Sequence, residues 1–399
     1  MTMRIPLAAP DITEAEINAV TAVLRTSQLS LGPELGAFER ALAEYHGVDH
    51  AVAVSSGTAG LHLALLVLGV GKGDEVIVPS FAFIAVANAV IQVNATPVFA
   101  EIDPVSLNLD PASVEQVITA KTRAILVVHT FGVPADMDAL GAIARRHGLA
   151  ILEDACEAPG ARFGEPQADR RVGSFGDLAV LGFYPNKQLT TGEGGAVLCR
   201  DATYARRLRS LRNQGRNSDR DPSGDAEEGS PHSPGWLDHR EVGYNYRLSE
   251  MACALGRVQL SRLDEMLAMR EAAAKRYNEL LAEIPGLERP AIELPKRVIS
   301  WFVYAVRLPG DVSRRQVQSE LAGKGIATGR YFPPIHLQPS WRGQARSGYS
   351  LQVTEAVAPR MLALPFFNRI AADQQREVAE ALNRAVLNES RASKSGRED

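Results

Sequence analysis

Only seven of the 43 basic residues are lysines. One of them, Lys187, stands inside the densest motif of the chain, Gly182-Phe-Tyr-Pro-Asn-Lys187-Gln-Leu-Thr-Thr-Gly-Glu-Gly-Gly195. An apolar run ends at Phe183, a turn with Pro185 follows, then the lysine, then glycines that would let backbone approach a ligand closely. Ligands of open α/β sheets bind beyond the carboxyl ends of the strands, which would put this amine where chemistry happens; taken alone it reads equally as a surface loop lysine. Ile151-Leu-Glu-Asp154-Ala-Cys-Glu157 carries a carboxylate to a strand end, where the plain alternative is a helix cap or an ion pair. Val54-Ser-Ser-Gly57-Thr58-Ala-Gly-Leu61 runs from a strand into an apolar helix, whose free N–H groups and positive dipole end suit an anion; the alternative is an ordinary capped helix start. Pro79-Ser-Phe-Ala-Phe83 brings two aromatics to another strand end, and core packing would claim at least one of them.

Together the four segments offer what pyridoxal phosphate (PLP) requires. A helix start takes the phosphate and an aromatic face stacks on the ring. A carboxylate keeps the pyridine nitrogen protonated, and a lysine amine condenses with the aldehyde. The same amine, displaced by substrate, can then move protons as general base and acid.

Such a set needs a scaffold that delivers strand ends to one rim. Apolar runs at Val76–Val78, Val98–Ile102, Ala124–Val128, Ala150–Leu152, Leu178–Phe183 and Ala196–Leu198 read as strands. Helices alternate with them, among them one opened by Asp110-Pro111 and one over Met137–His147. Continuous apolar strands suit a buried, mainly parallel sheet with helices on both faces. Before this, Thr13-Glu-Ala-Glu16 signals a capped helix, and a second helix puts Leu35, Phe38, Leu42 and Tyr45 on one face and stops at Gly47. Residues 214–235, rich in Gly, Ser, Pro, Asp and Asn, read as a long exposed loop. A long helical segment from about Ser249 to about Ile284 could join two units. Beyond it lie a strand over Trp301–Leu308, a helix opened by Ser313-Arg-Arg-Gln316 and a last helix over roughly Asp373–Leu387. The expected division is a large cofactor-binding domain over 1–250 including the N-terminal helices, a smaller C-terminal α/β domain over 251–388, and a disordered polar tail, Glu389–Asp399.

Composition narrows the function classes. With 399 residues, 45% hydrophobic and 23% charged, the chain can bury a large core without staples. A net charge of −4 offers no basic field for nucleic acid. The longest apolar run, Leu61–Val70, falls short of the ~18 residues a membrane span needs, and the N-terminus lacks an apolar signal core. Cys156, Cys199 and Cys253, odd in number and widely spaced, point to a reducing cytoplasm. No CxxC pair or HExxH motif supports a metal site.

The chain resembles the DegT/StrS-type sugar aminotransferases, which have the aspartate-aminotransferase fold (fold type I), from Ile5 to about Leu382. The resemblance rests on Ser-Gly-Thr-Ala at 56–59, Pro-Ser-Phe-x-Phe at 79–83, Glu-Asp-Ala at 153–155, Phe-Tyr-Pro-Asn-Lys at 183–187, Thr-Gly-Glu-Gly-Gly at 191–195 and Gly-Tyr-Asn-Tyr-Arg at 243–247. Ser30-Leu-Gly-Pro33 and Tyr331-Phe-Pro-Pro-Ile-His336 add to it. It implies PLP as cofactor, Lys187 as the Schiff-base lysine, Asp154 as partner of the pyridinium nitrogen, Gly57 and Thr58 as the phosphate site and Phe83 as the stacking ring. It also implies that Asn245 reaches the phosphate of the neighbouring subunit, hence a homodimer with shared active sites.

Three positions depart from the family pattern. Gly182 stands where many members have a serine touching the phosphate, Glu157 where many have a glutamine near the phenolic oxygen, and Ala82 where a threonine is common. On the substrate side the resemblance points to Ser30, Tyr331, His336 and Arg247; loop packing and structural ion pairing are their plain alternatives. His129, at a strand end, reads as a satisfied core histidine. The implied reaction moves an amino group from glutamate to a keto-sugar nucleotide, most like amination at C4 of a 4-keto-6-deoxyhexose. A cyclitol ketone as acceptor, a different PLP reaction such as elimination or racemisation, and a non-catalytic regulatory protein are the alternatives. The retained lysine argues against the dehydratase branch, which carries histidine there.

Overall fold

The computed structural model describes residues 3–167, 169–216, 238–341 and 350–395. The stretch read as an exposed loop over 214–235 lies outside them from residue 217 on. In chain order the strands are β1 (His50–Val54), β2 (Glu75–Pro79), β3 (Thr96–Ala100), β4 (Thr122–Val128), β5 (Ala150–Asp154), β6 (Arg162–Phe163), β7 (Arg170–Arg171), β8 (Leu178–Gly182), β9 (Gly195–Cys199), β10 (Arg297–Val298), β11 (Tyr304–Arg307) and β12 (Met361–Leu364).

Seven strands form one sheet in the order β1-β9-β8-β5-β4-β2-β3. The pairs β2/β3, β2/β4, β4/β5 and β5/β8 are parallel. β9 is antiparallel to both its neighbours, β1 and β8. It returns from β8 without a crossover helix, and a strand that returns directly must run antiparallel. The sheet is therefore mixed but mostly parallel, as the apolar strand pattern anticipates.

Side chains alternate across the pleat. Val52 and Val54 belong to the core under helices Gly57–Val67 and Ala202–Arg212. Ala51 and Ala53 belong to the core under helices Pro33–His46 and Glu250–Ser261. Ala179 and Ala196 join them there, in the same core as Phe38.

Several local signals fold as written. Thr13 and Glu16 form a reciprocal capping box. Pro33 opens the second helix and Gly47 closes it at φ 66°. Asp110 caps Ala112, and the next helix covers Met137–His147. At Ser313 the cap on Gln316 forms.

Others differ. The segment expected as one helix over 249–284 is two, Glu250–Ser261 and Leu263–Leu280. The break falls at Arg262, whose guanidinium ion-pairs with Glu16 and Asp11. The strand expected over 301–308 is reduced to Tyr304–Arg307, paired antiparallel with β12. The last helix runs Ala372–Ser395 and takes in most of the tail expected to be disordered, because no glycine or proline interrupts it before Gly396.

A second core gathers the C-terminal elements with Ile5, which is fully buried and bridges in parallel to Ile326. The first residues therefore pack with the C-terminal elements. Helix Leu263–Leu280 contributes Leu263 and Met266 to the large-sheet core and Tyr277 to the second core. Among the described residues no helix is long and apolar enough to cross a membrane, and no group of three or more His, Cys, Asp or Glu could hold a metal ion.

Candidate active site

The carboxyl ends of β1, β2, β4, β5 and β8 share one rim, and the amino end of β9 joins them: Val54 pairs with Gly195, and Gly195 with Gly182. Past that rim lie Ser56–Thr58, Ser80–Phe83, His129, Asp154–Glu157 and Phe183–Lys187. All four segments singled out in the sequence arrive at the same edge because the parallel strands point the same way.

Lys187 follows a turn in which its amide donates to Tyr184 O at 2.9 Å. Its side chain is 15% exposed, and Nζ donates to Glu157 Oε1 at 3.3 Å. On another side Nζ lies 3.9 Å from the centroid of the Phe302 ring. The Gln188 amide next door donates to Glu157 O at 2.6 Å and to Ser300 O at 2.9 Å, tying the lysine loop to the C-terminal part of the chain.

Asp154 ends β5, 8% exposed, and its Oδ1 accepts the amide of Cys156 at 3.0 Å. Its carbonyl accepts the His129 amide at 3.1 Å. Glu153, one residue back, points to the other face. It accepts from His129 Nε2 at 3.1 Å and from the amides of Gly173, Phe175 and Gly176. His129 Nδ1 accepts the Ala135 amide at 3.0 Å, so Nε2 carries the proton. His129 is thus the satisfied core residue its setting suggested.

Glu157 is 5% exposed and its Oε2 accepts the Phe131 amide at 2.9 Å. Burial raises its proton affinity, Asp154 pushes the same way, and Lys187 and the Phe131 amide only partly offset them. Burial and Asp154 also hold the Cys156 thiol well above its usual range.

The helix Gly57–Val67 begins under this cluster. Ser56 caps Ala59 at 3.1 Å, and the Gly60 amide reaches Ser56 O. Among the described residues the amides of Gly57 and Thr58 have no acceptor, so two donors and a helix dipole face the rim. Gly57 and Gly182 pinch Cys156 between them: a Cβ would meet its Sγ at 2.9 Å from residue 57 and at 3.0 Å from residue 182. Of the glycines after the lysine, Gly195 is required by the chain, since a Cβ there would lie 2.6 Å from the Ser56 carbonyl carbon, whereas Gly192, at φ 80°, has open space within 4 Å of its Cβ.

Of the two aromatics after β2, Phe81 is fully buried and Phe83 is 62% exposed. Tyr331 enters from the C-terminal part: burial raises its hydroxyl, Asn186 hydrogen-bonds it, and the charge of Glu157 acts on it. Asn186 Oδ1 and Gln188 Oε1, flanking the lysine, are buried without a partner. His336 is engaged elsewhere, with Nδ1 on Ser80 Oγ at 2.6 Å and Nε2 on Glu355 at 3.1 Å, as a strut from the C-terminal loop to the end of β2.

Segment 243–247 lies beside the helix start, since the Ser55 amide donates to Tyr246 O at 2.8 Å. Within it Arg247 donates to Asn213 Oδ1 at 2.9 Å, and Asn245 is exposed, with no side-chain bond among the described residues. Ser30 is exposed and bridged to Ser249. Among the described residues neither Ser30 nor Arg247 bonds to the Lys187 cluster.

Phe302, Cys156 and the Gln188–Ser300 tie escaped sequence reasoning. Gln188 adjoins the lysine and could have been suspected; Phe302 is 115 positions away and nothing local marks it.

The donor set fits PLP: two amides at a helix start that have no acceptor among the described residues, a carboxylate at a strand end, a nearly buried amine and an exposed aromatic ring. Comparison with known proteins agrees. A family model described as the DegT/DnrJ/EryC1/StrS aminotransferase family matches residues 10–383. The chain is 39% identical to a GDP-perosamine synthase of Caulobacter vibrioides over 366 residues, covering 91% of this chain and 93% of that one. It is 40% identical to a dTDP-3-amino-3,4,6-trideoxy-alpha-D-glucose transaminase of Streptomyces venezuelae, covering 96% of each. Among solved structures, a Streptococcus pneumoniae protein in a PMP form superposes with a TM-score of 0.88 at 26% identity over 98% of this chain and 99% of that one, and it is also solved in a PLP form.

Proposed function

The chain belongs to the DegT/DnrJ/EryC1/StrS family of PLP-dependent sugar aminotransferases, and from that premise we propose that it moves an amino group from glutamate to the carbonyl of a nucleotide-linked keto-sugar, a 4-keto-6-deoxyhexose. The observation that carries this reading is the convergence of Lys187, Asp154 and Glu157 on one rim beside the unpaired amides of Gly57 and Thr58.

Bound PLP supplies an aldehyde that carries amino groups and a ring that takes up electron pairs. In this chain the Lys187 amine holds the cofactor and moves protons at Nζ. Asp154 keeps the ring nitrogen charged. The amides of Gly57 and Thr58, with the helix dipole behind them, grip the phosphate. Gly182 offers no side chain there, so that grip rests on backbone. Phe83 presents an open ring face for stacking. Tyr331, lying against Asn186 beside the amine, is placed to meet the acceptor sugar, with Ser30 and Arg247 further out; His336 braces the loop that carries Tyr331.

The working form we propose is a cytoplasmic homodimer in which Asn245, exposed in its own chain, completes the neighbour's phosphate site. Nucleotide-sugar relatives favour a sugar acceptor over a cyclitol.

Spectroscopy and a substrate panel test the reading. Wild type loaded with PLP should absorb near ~420 nm, a property of the lysine-bound cofactor, and glutamate should bleach that band. Lys187→Ala should show no such band and no turnover. Keto-sugar nucleotides assayed beside cyclitol ketones should give amination of the former; a protein that aminates only cyclitols, or whose band glutamate leaves unchanged, refutes the assignment.

A further inference from the structure

An amine that is to attack a carbonyl carbon, or to lift a proton from carbon, must first lose its own extra proton. Around Lys187 Nζ the structure provides a receiver. Glu157 Oε1 lies 3.3 Å away, and the pair is nearly out of water, with side chains 15% and 7% exposed. The Phe302 ring face lies 3.9 Å from Nζ on another side, so the amine is enclosed between a ring and a carboxylate. The carboxyl is held still: its Oε2 takes the Phe131 amide at 2.9 Å, and the carbonyl of the same residue takes the Gln188 amide at 2.6 Å.

Burial gives this carboxyl a higher proton affinity than one in water. The other titratable groups acting on the pair are Asp154 and Cys156 on the segment of Glu157 itself, and Tyr331 from the C-terminal part. None of the three can carry a positive charge, so none competes with Lys187 as its basic partner. A glutamine in this place could bond to the amine but could not take its proton.

We propose that Glu157 is the proton partner of Lys187. An Nζ–H bond breaks, its electron pair stays on nitrogen and the proton joins Oε1, which leaves the amine neutral and able to accept a proton from carbon. The inference rests on the reading of Lys187 as the attachment point of PLP and adds a role for the neighbouring carboxyl.

The test is an absorbance titration of the PLP-loaded wild type, Glu157→Gln and Glu157→Asp between about pH 6 and about pH 10, where the band reports loss of the proton from the nitrogen of residue 187. Removing the negative charge should lower the midpoint in Glu157→Gln by about one pH unit or more, a tenfold loss of proton affinity, with Glu157→Asp in between. A midpoint unchanged or raised in Glu157→Gln overturns the proposal; a purely structural glutamate would weaken loading and leave the midpoint in place. Should Glu157→Gln fail to load, Glu157→Asp decides in the same way, a lowered midpoint supporting and an unchanged one refuting.

The functional reading fails separately, through a wild type that forms no visible band with PLP. The pair is then read in the cofactor-free protein by acetylation of Lys187 against pH, followed by mass spectrometry. The profile moves to lower pH in Glu157→Gln if the pair holds the proton and stays put if it does not.

Discussion

Asp154 is oriented by the Cys156 amide, which donates to its Oδ1 at 3.0 Å. An asparagine keeps the shape and can keep that bond, but it cannot hold a positive ring nitrogen. Asp154→Asn should therefore fold and retain part of its cofactor while kcat/KM falls about 10²–10³-fold, the scale seen when one preorganised electrostatic contact is lost. Steady-state kinetics beside the visible spectrum checks this, and turnover within a factor of a few of wild type contradicts it. At this scale residue type carried much of the information. A lysine inside a glycine-bounded motif and an aspartate at a strand end are legible as chemistry before any fold is known. His336 was not: its ring looks available in the sequence and is spent on Ser80 and Glu355. Nor was Phe302, whose contact with Nζ exists only after the chain has folded back.

At the scale of elements, the site depends on how closely the end of β8 approaches the start of helix Gly57–Val67. Cys156 fills the space between them, and it does so because both neighbours lack a Cβ. Gly182→Ser, which would restore the serine common among relatives, should therefore crowd Cys156 and lower stability by about 1–3 kcal/mol, the range for overpacking a filled interior. Adding Cys156→Ala should recover much of the loss by vacating the space. Thermal melts of the wild type, the single and the double variant decide; a single variant as stable as wild type, or a double no better than the single, would show that the close approach is not what keeps residue 182 small. Helix starts were legible here, since Thr13, Asp110 and Ser313 all cap as their side chains suggest. Helix continuity was not. The interruption falls at Arg262, which pairs with Glu16 and Asp11 far off in sequence, and the run to Ser395 follows from an absence of breakers that a polar composition conceals.

Across the whole molecule, two cores meet over the rim. The second core takes Ile5 from the very start of the chain, and helix Leu263–Leu280 is shared by both. The C-terminal part then returns Phe302 and Tyr331 to the lysine. If the neighbouring subunit adds Asn245, the site is complete only in an assembly. Mixing inactive Lys187→Ala with Asn245→Ala subunits should then restore about a quarter of wild-type activity, because half of the re-formed dimers are hybrid and each hybrid has one intact site. Activity no higher than the sum of the separate variants, with exchange of subunits verified by mass, would place Asn245 outside the shared site.

The sequence by itself determined the layered α/β class, the strand ends that carry Lys187, Asp154, Gly57 and Phe83, and the cofactor they suit, because each is written in a short window: apolar runs, caps, and reactive types next to turns. Tertiary structure alone decided the antiparallel place of β9, the pairing of Glu157 with Lys187, the ring of Phe302 over the amine and the commitment of His336 to a strut. Those contacts join positions tens to hundreds of residues apart, and a local pattern holds no information on which distant side chain will arrive or how far from water it will end.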